Sequence, residues 1–86
     1  MQTDLETLRQ VVIDTARKSP VGEKLEDVAL EPAQDSEGDE FLRVMIRLKR
    51  IDEADRPTLV KLIESIEDAV GELDERYPSV RFPDAA

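Results

Sequence analysis

The sequence predicts an α+β fold, a two-layer α-β-β-α-β sandwich with two helices on one face of a three-stranded sheet. Three observations carry this. From Phe41 to Lys49 the chain alternates strictly, with Leu42, Val44, Ile46 and Leu48 on one side and Phe41, Arg43, Met45, Arg47 and Lys49 on the other. Period two with a single apolar face describes a strand buried on one side only. Leu59, Leu62, Ile63, Ile66, Ala69, Val70 and Leu73 recur at helical spacing within an arc of roughly 120°, the width of a core-facing stripe. Leu5, Leu8, Val12 and Ala16 form a second, shorter stripe.

In chain order, a first helix is expected over about 4–18. Thr3 and Glu6 have capping-box spacing, Arg17 and Lys18 suit the negative end of the helix, and Ser19-Pro20-Val21-Gly22 stops it. A strand over about 25–31 follows, where Val28 and Leu30 alternate with Asp27, Ala29 and Glu31; Pro32 ends it or places it at an edge. A polar loop from Ala33 to Asp39 leads into the central strand, about 40–49, as its antiparallel partner. The second helix spans about 56–76, with Asp55 as N-cap and Pro57 in the first turn, where a missing N–H does little harm. Gly71 inside it reads as a close approach to the sheet, at about 1 kcal/mol relative to alanine. Pro78 closes the helix, and a last strand over about 79–82 turns Val80 and Phe82 inward and Arg81 outward. A right-handed crossover then puts both helices on one side of the sheet. One domain over 1–86 is expected, with a core modest enough that association with a second chain adds stability.

Composition narrows the chemistry. With no cysteine and no histidine, thiolate chemistry and imidazole acid–base work are unavailable. The 21 acidic and 12 basic residues give a formal charge of −9, which disfavours nucleic acid as a partner. Phe41, Tyr77 and Phe82 are the only aromatics, too few for a row of base-stacking platforms. No apolar run approaches the roughly 20 residues of a membrane span, and Met1-Gln2-Thr3-Asp4 lacks the pattern of a signal peptide. A soluble cytoplasmic protein with no membrane partner is the expectation.

Asp35, Glu37 and Asp39 alternate as at the start of a calcium loop, but Glu40 stands where the sharp turn needs glycine and Ile46 where a bidentate glutamate belongs. No metal is assigned there. Glu64, Glu67, Asp68, Glu72, Asp74 and Glu75 read as the solvated outer face of the second helix, and those in its last turn oppose the helix dipole. The serines and threonines lie in no nucleophile-elbow context and the glycines are isolated, so no catalytic residue and no cofactor are assigned and an enzyme is not expected. The better candidate is a surface: Phe41, Arg43, Met45, Arg47, Lys49 and Arg81 projecting from the uncovered side of the sheet, with Asp27 and Glu31 as neighbours. Arginine with an aromatic and a methionine is a composition that interface centres favour. The expected function is a non-catalytic protein-interaction module, a homodimer or an adaptor for another protein. The alternative is an RNA- or ribosome-associated domain using the same basic face.

Two families share the element order. Val28-Ala29-Leu30-Glu31, the strand Leu42 to Leu48, Ile66-Glu67-Asp68-Ala69-Val70 and Arg76-Tyr77-Pro78-Ser79-Val80 together resemble the cytoplasmic C-terminal domain of cation diffusion facilitator transporters. That domain is metallochaperone-like and dimerises; its metal ligands are largely histidines, so the resemblance implies a dimer and carries no metal residue here. The order is also similar to type II KH domains, including ribosome-binding factor A, which bind RNA through a basic surface and a glycine turn between helices. The second helix here has no such turn.

Overall fold

The central strand holds the molecule together because its two faces differ so sharply. In the computed structural model, which describes residues 2–83, the elements are α1 (Leu5–Arg17), β1 (Leu25–Gln34), β2 (Glu40–Leu48), α2 (Arg56–Gly71) and β3 (Tyr77–Arg81), with short 3-10 turns at Gly22–Lys24 and Glu53–Asp55. The sheet order is β1-β2-β3; β1 runs antiparallel to β2, and β3, reached through α2, runs parallel to it. The class is α+β, with two helices and a three-stranded mixed sheet.

Leu42, Val44, Ile46 and Leu48 of β2 are all buried, as are Leu8, Val12 and Ala16 of α1 and Leu59, Leu62, Ile66 and Val70 of α2. They form one cluster with Val21 and Val28. α1 lies on β1, α2 on β3, and the helices pack against each other, so the covered face of the sheet is filled from side to side. The other face of β2 carries no helix.

Several boundaries differ from those the sequence suggests, each for a local reason. α1 is capped by Asp4 rather than Thr3: the Asp4 carboxylate accepts the N–H of Thr7 at 3.3 Å and the Thr7 hydroxyl. Thr3 is used elsewhere, donating its N–H to Asp74 at 2.8 Å and its hydroxyl to the Leu73 carbonyl. β1 continues through Pro32 to Gln34 because β1 is an edge strand, where proline's missing donor breaks no ladder between two neighbours. The loop is consequently short. Asp35 Oδ1 accepts the N–H groups of Glu37 at 2.9 Å and Asp39 at 3.0 Å, and Gly38 takes the left-handed conformation, φ 86°, that closes the hairpin.

Asp55 is the N-cap of α2 and Pro57 lies in its first turn, as the sequence suggests, but the Asp55 side chain makes no capping bond to the helix and is used by the segment before it. Asp52 caps the preceding 3-10 turn, accepting from Ala54 N–H at 2.9 Å, while the Asp55 side chain reaches back to the Asp52 N–H. Asp55 also holds Lys24 at 2.8 Å. α2 ends at Gly71, well before 76, because the chain must turn to bury Asp74 and Arg76; the N–H groups of Leu73 and Asp74 both close on Val70 O at 2.9 Å. A Cβ built on Gly71 meets nothing within 4 Å, so that glycine marks no close approach. The close approach is at Gly22, where a Cβ would stand 2.3 Å from the carbonyl oxygen of Arg17. β3 begins at Tyr77 and ends at Arg81, leaving Phe82 just beyond the strand but packed on the core. Of the tail that the sequence suggests over Pro83-Asp84-Ala85-Ala86, all but Pro83 lies outside the described residues.

Candidate functional site

Strand pairing sets out the uncovered face as rows. Across β1 and β2 the outward partners are Asp27 with Arg47, Ala29 with Met45, Glu31 with Arg43, and Ala33 with Phe41. Across β2 and β3, Phe41 pairs with Tyr77, Arg43 with Ser79 and Met45 with Arg81. The middle of the face is therefore Met45, with alanine on one side and arginine on the other. The β2 strand supplies the large side chains and β1 the small and acidic ones.

Of the residues expected on this surface, Arg43, Arg47, Lys49 and Arg81 are exposed, and Phe41 and Met45 are half-buried rather than fully exposed. The neighbouring long side chains account for this. The Arg43 guanidinium lies over the Phe41 ring, 6.0 Å from its centroid, and its Nη1 meets Glu31 Oε1 at 3.0 Å. Glu31 is thus satisfied within the chain. Asp27 stands opposite Arg47 in register but is held by Arg9 of α1, whose Nη2 lies 3.4 Å from Asp27 Oδ1 and whose Nε donates to the Val28 carbonyl at 2.8 Å. That contact closes one open carbonyl of the edge strand. Lys49 falls just past the end of β2, its N–H donating to Lys24 O at 2.8 Å. Among the described residues Arg47, Lys49 and Arg81 make no ion pair or hydrogen bond through their side chains. The face thus offers three free cations, two of them, Arg47 and Arg81, beside Met45.

Tyr77 belongs to α2 as much as to this face. It is 62% exposed, and its hydroxyl donates to Glu67 Oε2 at 2.8 Å, a bond that raises the phenol above its ordinary pKa. Behind the sheet, an open groove of about 410 Å³ runs between α1 and α2, lined by Lys18, Lys61, Leu62 and four hydroxyl side chains. Two of those hydroxyls are committed to helix carbonyls, Thr15 to Val11 O at 2.8 Å and Ser19 to Ala16 O at 2.6 Å. Among the described residues no three acidic, histidine or cysteine side chains converge as a metal site.

The sequence placed Asp74 on the solvated acidic face of α2, and here it is corrected: Asp74 is 5% exposed and Arg76 8%. Arg76 grips the Asp74 carboxylate, meets Glu40 Oε1 at 3.1 Å and donates to the Thr3 carbonyl at 3.1 Å. Hydrogen bonds from Arg76 above all hold the Asp74 carboxyl well below the ordinary carboxylate range, and the same pair raises Arg76. The signal was present in the sequence as acidic residues at the wrong end of a helix dipole. Ending at Gly71 takes Asp74 and Glu75 out of the helix, while Asp68 in the last turn and Glu72 at the C-cap still oppose the dipole.

Compared with protein-family models, with curated proteins and with solved structures, the chain finds no match in any of the three.

Proposed function

We propose that this chain is a small soluble cytoplasmic protein-interaction module, non-catalytic, that works through the outer face of its sheet and associates with a second copy of itself. The observation that carries the reading is the set of three free cations, Arg47, Lys49 and Arg81, on the face no helix covers, where half-buried Met45 is paired in register with Arg81 and lies two residues from Arg47. Cations beside apolar surface gain most when a partner supplies carboxylates and excludes water. A chain of net charge −9 has carboxylates in abundance, so a second copy fits that description.

Light scattering over a concentration series tests this directly, with a dimer expected at high micromolar concentration. A chain that stays monomeric throughout would defeat the self-association. A second reading is RNA binding with strong salt dependence through Arg47 and Lys49 of this set together with Arg43, which Glu31 already holds. The charge of −9 weighs against it, and no retention of single- or double-stranded RNA at low salt is the expected result.

A further inference from the structure

The arrangement of the outer rows says how two copies would meet. The inference rests on the self-association proposed above and adds its geometry. We infer that two chains stack sheet against sheet about a two-fold axis parallel to the strands and midway between β1 and β2, so that each β1 row lies over the β2 row of its partner.

Two symmetric ways of stacking these faces must be compared. With the axis across the strands, β2 lies over β2: Met45 meets Met45, and arginines of one copy lie over arginines of the other. Like charges directly opposed are destabilising, and nothing in those rows offsets them. With the axis along the strands, every outward residue of β1 and β2 faces the copy of its own register partner, because partners share the same height along the sheet. Asp27 then lies over Arg47, Ala29 over Met45, Glu31 over Arg43 and Ala33 over Phe41.

Charge and size are complementary at once in that arrangement. Acid meets base at two levels, and the bulky Met45 and Phe41 meet alanines at the two levels between and beside them. The Glu31–Arg43 pair at 3.0 Å becomes half of an alternating ring of four charges. Arg47 gains the carboxylate that Arg9 holds only loosely, at 3.4 Å. Arg81, level with Met45 on β3, lies diagonal to both acids of the other copy. Facing sheets sit about 10 Å apart and cross at about 30°, so the rows diverge toward their ends. The closest fit falls at Ala29 and Met45, in the middle, and the ends are left to arginines long enough to absorb the divergence.

Charge reversal on the whole chain tests the geometry, read as a dimer dissociation constant by light scattering or sedimentation. Asp27→Arg or Arg47→Asp alone is expected to weaken the dimer about tenfold, since each change counts twice in a two-fold contact. The double change Asp27→Arg with Arg47→Asp restores acid over base and is expected to recover most of the loss. Both positions are exposed, and circular dichroism confirms that the variants are folded. A steric pair gives an independent readout: Ala29→Met weakens the dimer and Ala29→Met with Met45→Ala recovers it. A dimer indifferent to both single reversals, or a double reversal no better than the singles, overturns this geometry while leaving self-association standing. A monomer at every concentration overturns both.

Discussion

Asp74 and Arg76, two positions apart in sequence, meet through two parallel bonds, Nε to Oδ1 at 2.9 Å and Nη2 to Oδ2 at 2.8 Å. The remaining lone pairs of the carboxylate are used as well, by the N–H of Arg76 at 2.9 Å and the N–H of Thr3 at 2.8 Å. The pair therefore ties the segment before α1, the turn after α2 and, through Glu40, the start of β2. Asp74→Asn leaves the buried guanidinium with only the more exposed Glu40 as a charged partner. The expected loss is about 3 kcal/mol, the low end for breaking a buried pair and a large part of a small domain's stability. A shift in the urea midpoint worth less than about 1 kcal/mol, at unchanged slope, would mean the pair is solvated after all.

The same pair makes a prediction in pH. The Asp74 carboxyl is held below its ordinary value first by the Arg76 side chain, then by backbone N–H groups, against burial acting the other way. The native state therefore binds a proton less readily than the unfolded chain, whose aspartates titrate near about 3.9. The contribution is fully present well above that value and is lost as pH falls below it. Asp55, lowered by its bond to Lys24, acts in the same direction. Urea midpoints of the wild type should fall between pH 7 and about pH 3, and Asp74→Asn should show a smaller fall, with the Asp55 share remaining. Equal falls would remove Asp74 from the account.

Two glycines should respond oppositely to alanine. At Gly22 the added carbon would stand 2.3 Å from the Arg17 carbonyl oxygen, and that atom is backbone at the end of α1. Something must shift, at an expected cost of about 1–3 kcal/mol. At Gly71 the space is open and the backbone is helical, so alanine chiefly reduces the freedom of the unfolded chain. A gain of about 0.5 kcal/mol is expected. Thermal melts of the two variants should move to opposite sides of the wild type.

What was legible in the sequence follows from how local each signal is. Leu42, Val44, Ile46 and Leu48 announce β2 because burial on one side leaves a period-two trace that no other element imitates. The stripe Leu59, Leu62, Ile66 and Val70 does the same for α2. Caps were harder. Thr3 and Asp4 are adjacent, both are good cap residues, and the choice was made by Asp74, 71 positions from Thr3, taking Thr3 for itself. The end of α2 was hidden for the same reason, since nothing near Asp74 reveals that Glu40 and Thr3 will surround Arg76. On the outer face the residue types were readable, but which acid answers which arginine was not. Glu31 takes Arg43, whereas Arg9, from a helix, takes Asp27 from the strand partner that register would assign it.

The last prediction separates the sheet from the helices as the contact surface. Val60 is 58% exposed on α2, at the flank of the apolar stripe, and is the strongest competitor to the outer face as a place for two copies to meet. Met45 is half-buried in the centre of the sheet face, flanked by Ala29 and Arg81. A charge at an interface centre must be stripped of water when the copies meet, whereas at an exposed position outside the contact it keeps its water and costs little. Met45→Asp should therefore abolish the dimer at concentrations where the wild type is fully associated, and Val60→Asp should leave it intact. Urea midpoints taken at dilute, monomeric concentration guard against mistaking instability for lost contact. The reverse ranking, with Val60→Asp monomeric and Met45→Asp still dimeric, would move the interface to α2 and leave the sheet face for a different partner.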